Sequence, residues 1–113
     1  LMIAQMSNDD NLFDSNYAKK TIDIAENNKN DIIGFICQEK ISDDSFLYFV
    51  PGINLESKND NSNQKYTHPM NAIDKGADIL IVGRGITNKK NVEKECKIYK
   101  EISWDAYKIK HNL

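Results

Sequence analysis

DILIVGRGI, residues 78–86, is the stretch on which the fold reading turns. Asp78 to Val82 is a short apolar run of the length of a buried strand. Gly83-Arg84-Gly85 follows at once. Flanking glycines let a backbone come close to a ligand and aim N–H groups at an anion. The guanidinium of Arg84 adds a planar, two-pronged partner for a phosphate. In α/β architectures ligands bind at the C-terminal ends of strands, which is where this turn falls. The segment therefore predicts a last strand and a phosphate-holding turn. A lone G-R-G triplet is a weak motif, and a tight strand-to-helix turn with a solvated arginine is the bland alternative.

Working outward, apolar runs alternate with helical periodicity. Leu1 to Ala4 predicts a first strand, and Ser7 to Asn16 a polar loop. Asp14 or Ser15 can cap a helix over Tyr17 to Asn28, with Ala18, Ile22 and Ala25 on one face. Asp31 to Cys37 predicts a second strand, Ser42 to Phe46 one helical turn, and Leu47 to Val50 a third strand ended by Pro51-Gly52. Ile53 to Tyr66 has little apolar content. Loops of that length are uncommon in compact domains unless they act as lids or are disordered. Pro69 suits the first turn of a short helix capped by Thr67 or His68 and ended at Gly76. Asn88 can cap a last helix over Lys89 to Lys108, with Val92, Cys96, Tyr99, Ile102, Ser103 and Ala106 on one face and Glu93–Lys97 as a supporting pair. Strands separated by helices predict a parallel sheet, and both doubly wound sheets and barrels fit the order.

The 113 residues suit one domain, spanning residues 1–113. With 15 basic against 17 acidic residues there is no global basic field, so no nucleic-acid partner is expected. No apolar run approaches the roughly 20 residues needed to cross a membrane, and no signal peptide opens the chain, so a cytoplasmic protein is expected. The chain does not begin with Met and its first residues read as mid-strand, as in a piece of something longer. Cys37 and Cys96 are expected to be buried, reduced thiols, and no metal is expected.

The candidate chemistry falls at the strand ends. Ser7 follows the first strand and could bond a ligand, although a turn serine is the commoner case. Gln64 and Tyr66 end the long loop and could reach a phosphate if that loop folds over it. No pairing of nucleophile and base supports self-contained catalysis. Asp9 and Asp10 read as solvated, and Trp104 and Tyr107 as packing residues.

Taken together, IAQMS (3–7), IIGFI (32–36), VPGINLE (50–56), NQKY (63–66), GADILIVGRGI (76–86) and SWDAY (103–107) resemble the C-terminal half of orotidine 5'-phosphate decarboxylase, above all the decarboxylase domain of bifunctional UMP synthases. The likeness runs end to end in order and spacing. It implies the fifth to eighth strands of a (β/α)8 TIM barrel. It further implies conversion of orotidine 5'-phosphate to UMP in de novo pyrimidine biosynthesis with no cofactor, in a homodimer of the complete domain.

The resemblance places Ser7 on the pyrimidine ring, Pro51 beside the base, and Gln64, Lys65, Tyr66, Gly83 and Arg84 on the phosphate. The family usually has Glu at the position of Gln5, Gly at Asn63 and often Gln at Lys65, where a backbone contact would survive. Its catalytic D-x-K-x-x-D pattern is absent from this chain. The resemblance thus implies an N-terminal half of the same barrel as partner and a fragment inactive alone. The alternatives are a non-catalytic phosphate-binding half-barrel or half of another sugar-phosphate barrel enzyme.

Overall fold

The computed structural model describes residues 1–8, 11–56 and 65–113. Its elements run β1 (Met2–Ile3), α1 (Ser15–Glu26), β2 (Gly34–Ile36), β3 (Leu47–Val50), α2 (Pro69–Asp74), β4 (Ile79–Leu80), α3 (Arg84–Thr87) and α4 (Val92–His111). The four strands form one parallel sheet in the order β1-β2-β3-β4. Unreversed sequential order with right-handed connections keeps every helix on one face, as in barrels. A doubly wound sheet reverses its order and covers both faces.

The register assigns the faces. Met2 pairs with Phe35 and Phe35 with Tyr48, so these three side chains share a face. Phe35, Tyr48 and Val50 are buried there with Ala25 of α1, Ala72 and Ile73 of α2, and Tyr99 of α4. Phe35 stacks on Tyr48 and tilts against Phe46, with ring centroids 6.2 and 5.0 Å apart. Full burial of a side chain such as Phe35 or Val50 contributes about 1.5–3 kcal/mol. The molecule measures 44 × 37 × 21 Å, so its short axis holds one sheet and one layer of helices.

Local chemistry sets most boundaries. Asp14 caps α1, its carboxylate accepting from the Tyr17 N–H at 2.8 Å. The helix runs on as a turn in which the Asp31 and Ile32 N–H groups donate to Asn28 O. β2 is therefore shorter than the predicted Asp31–Cys37. His68 caps α2 through Nδ1, Pro69 occupies its first turn, and Gly76 leaves it at φ 106°. The Lys110 ammonium donates to the α2 carbonyls of Ile73 and Asp74 at 2.6 and 2.8 Å.

Four expectations need correction. Ser42–Phe46 is a turn and not a helix, because the Asp43 carboxylate accepts from both the N–H and the hydroxyl of Ser45. Asn88 does not start the last helix. It ends α3, a one-turn helix that the periodicity did not show, and Asn91 caps α4 by accepting from the Lys94 N–H at 3.0 Å. Cys96 is exposed, not buried, and Val92 is exposed beside it, so the buried face of α4 begins at Tyr99. Trp104, expected to pack, is 52% exposed and stacks on Tyr107. No described helix is long and apolar enough to cross a membrane.

Candidate functional site

Because the strands are parallel, their C-terminal ends share one edge of the sheet, and most of the chemistry-bearing residues of the sequence fall there. β1 leads to Gln5 and Ser7, β2 to Cys37 and Gln38, β3 to Pro51 and Gly52, and β4 to Gly83 and Arg84. The Gln5 amide oxygen accepts from the Gln38 N–H at 2.9 Å and ties the ends of β1 and β2 together. The Ile81 N–H donates to Val50 O at 2.9 Å and does the same for β3 and β4.

The long loop is anchored at both ends on this rim. Gly52, at φ 71°, turns the chain out of β3. Ile53 is buried and bridges Thr67, the Thr67 N–H donating to Gly52 O at 2.8 Å and the Asn54 N–H to Thr67 O at 3.1 Å. Leu55 N–H donates to the Tyr99 hydroxyl at 3.0 Å, and Glu56 pairs with Lys89 at 3.4 Å. At the far end the Lys65 N–H donates to Ser7 O at 3.1 Å. The structure thus joins Ser7 to Lys65 through the backbone, with Tyr66 half-buried next in sequence. Gln64, Asp9 and Asp10 lie outside the described residues.

Gly83 and Arg84 are exposed at the head of α3. Among the described residues, Gly83's chain neighbours aside, no atom stands within 4 Å of a Cβ built on Gly83. Gly85 differs. It is buried, and its Cβ would meet the Tyr99 hydroxyl at 2.5 Å and Ile53 O at 3.4 Å. Tyr99 was legible in the sequence only as a core position of α4. Its hydroxyl contacts are made across 44 residues of chain, which no periodicity encodes.

Cys37 sits on the same rim but is no nucleophile. Burial pushes its thiol up to about 12, the Glu39 backbone opposes that, and the negative charges of Asp78 and Glu39 add to it. Among the described residues no three His, Cys, Asp or Glu side chains group as a metal site. The rim offers hydroxyl, amide, backbone and guanidinium groups, the kinds of group that can orient a polar ligand.

Comparisons with known proteins agree with this geometry. The model of the "Orotidine 5'-phosphate decarboxylase / HUMPS family" matches residues 1–99. The chain is 41% identical over 112 residues to an orotidine 5'-phosphate decarboxylase of Candida parapsilosis, covering 95% of this chain and 42% of that protein. It is 37% identical over 110 residues to a uridine 5'-monophosphate synthase of Naegleria gruberi, covering 95% of this chain and 22% of that one. The crystal structure of orotidine 5'-monophosphate decarboxylase from Sulfolobus solfataricus superposes with a TM-score of 0.65 at 18% identity, over 92% of this chain and 48% of the other, and so shares the fold. The chain spans less than half the length of each of these proteins. A match over residues 1–99, which takes in all four strands and their C-terminal ends, makes this chain a member of the orotidine 5'-phosphate decarboxylase / HUMPS family.

Proposed function

We propose that this chain supplies the phosphate- and pyrimidine-binding half of an orotidine 5'-phosphate decarboxylase, a lyase of de novo pyrimidine biosynthesis, as the fifth to eighth strands of a (β/α)8 barrel. The observation that carries the proposal is the gathering of Ser7, Pro51, Lys65, Tyr66, Gly83 and Arg84 along one edge of the sheet, with the long loop anchored there at both ends. Ser7 and Pro51 would contact the pyrimidine. Gln64, Lys65, Tyr66, Gly83 and Arg84 would hold the phosphate, and no described residue beyond its chain neighbours crowds Gly83.

The uncovered face of the sheet supports the half-barrel. Ile3, Ile36, Phe49 and Ile79 pair in one row across all four strands, on the face opposite Phe35 and Tyr48. Ile3, Leu47, Ile79 and Ile81 are 49, 42, 40 and 40% exposed. A row of that kind needs a cover. The N-terminal half of the same barrel fits it, and would bring the D-x-K-x-x-D residues that this chain lacks. The complete domain would work as a cytoplasmic homodimer.

In this reading the present chain does no bond-breaking. Its contacts hold a phosphate remote from the carbon that loses CO2. Their binding energy, spent on closing the loop and orienting the base, lowers the barrier only where it is realised in the transition state. Closure also excludes water and strengthens the charges of the other half. The missing D-x-K-x-x-D pattern equally favours a second reading, a half-barrel that binds a phosphorylated ligand without turnover. One experiment separates the two. Absorbance loss of orotidine 5'-phosphate is followed with this chain alone and with an N-terminal complement. No turnover alone and recovery with the complement is expected. Turnover by this chain alone overturns the assignment of roles, and none with the complement favours the binding module.

A further inference from the structure

Tyr99 is a buried side chain that touches both the loop mouth and the Gly83–Gly85 turn. It lies on α4, 4% exposed, and its backbone is held by the packing of that helix on α2. Its hydroxyl accepts the Leu55 N–H at 3.0 Å, at the mouth of the long loop. The same oxygen stands directly beneath Gly85, where a Cβ would come within 2.5 Å of it. Gly85 follows Arg84, and Leu55 leads into the loop whose other end reaches Ser7 through Lys65. The turn and the loop make no strand pairing with each other in the described residues; beside the Ile53 carbonyl, which a Cβ on Gly85 would meet at 3.4 Å, the tyrosine oxygen is a point where both are held.

We infer that Tyr99 is a positioning residue for phosphate recognition, which sets the separation between the loop mouth and the Gly83–Gly85 turn. The inference rests on the phosphate-binding role proposed for that turn. Being buried, Tyr99 cannot contact the ligand and acts through Leu55 and Gly85. The hydroxyl has two effects. It holds the loop mouth by a hydrogen bond, and it excludes any side chain at position 85, which keeps the turn low against α4. Removing it loosens both walls at once while the ring stays in the core.

The test compares UMP with uridine, which differ only in the phosphate, on the assembled barrel of this chain with its N-terminal complement. The wild-type protein should bind UMP more tightly than uridine. Tyr99→Phe keeps the ring and should lower that preference about three- to tenfold, the size of one neutral hydrogen bond, with uridine affinity unchanged. A purely structural role would weaken both ligands in proportion, and that result, or an unchanged preference, overturns the inference. A wild-type protein with no preference for UMP overturns the phosphate reading itself. If Tyr99→Phe does not fold, Gly85→Ala gives the second test. That substitution puts a Cβ within 2.5 Å of the hydroxyl and should depress the UMP preference with uridine affinity unchanged. A folded Gly85→Ala variant with an unchanged preference, or with both ligands weakened in proportion, overturns the inference.

Discussion

Gly34→Ala should open the middle of the sheet. Gly34 pairs with Leu47 across β2 and β3. A Cβ at position 34 would overlap the Leu47 carbonyl oxygen and stand 2.8 Å from its carbon and 2.9 Å from its nitrogen. All three are backbone atoms, so no rotamer can relieve the clash. Carbon contacts become favourable near 3.5 Å, so the two strands must part by on the order of 1 Å. The Leu47 N–H donates to Ile33 O at 2.9 Å, and that displacement takes it out of hydrogen-bond range. Two unpaired backbone groups cost about 1–3 kcal/mol each, offset by roughly 0.4–1 kcal/mol from the stiffer unfolded chain. A net loss of about 1–5 kcal/mol follows. With a urea slope of about 1–3 kcal/mol per molar, the unfolding midpoint should fall by on the order of 1–3 M. The measurement is urea unfolding followed by circular dichroism on the full chain. A variant within about 0.5 kcal/mol of wild type would refute the close approach of β2 and β3.

Two further predictions follow from the rim. Arg84→Ala in the assembled enzyme should lower kcat/KM by about 3–5 kcal/mol, as for a lost charged, bidentate contact, with Arg84→Lys recovering only part; steady-state kinetics showing less than a twofold change would remove Arg84 from the phosphate. Cys37 should make stability fall in alkali. Its folded pKa, about 12, lies above the ordinary thiol value of about 8.5, so its contribution is complete below the unfolded value and is lost as pH rises between the two. Thiol titration at pH 8 should therefore count one fast group, the exposed Cys96, and a second only on unfolding; two fast groups in the native chain would contradict the burial of Cys37.

Elements governed by their own residues were legible in the chain. Asp14, the His68–Pro69 pair and Gly76 set helix ends through groups within a few residues of one another. The β3 run, Leu47 to Val50, was read with its observed bounds. Which residues share the C-terminal edge of the sheet was legible too, because strand ends in a parallel sheet share one side whatever the wider architecture. The choice between Asn88 and Asn91 was not. Both are good caps, and only the one-turn helix α3 against α4 decides which asparagine ends one helix and which starts the next.

By itself, the sequence determined the alternation of strands and helices apart from α3, the parallel sheet and the residues that follow each strand, since periodicity, caps and turn residues act over short range. Tertiary structure alone decided what depends on contact between distant segments. It set the unreversed strand order, which puts Ile3, Ile36, Phe49 and Ile79 in one row with Ile3 and Ile79 exposed. It turned Cys96 outward. It also brought the Tyr99 hydroxyl between Leu55 and Gly85. An α4 residue shows in the chain only which side of its helix is apolar. Which backbone its polar tip meets is fixed by how that helix docks.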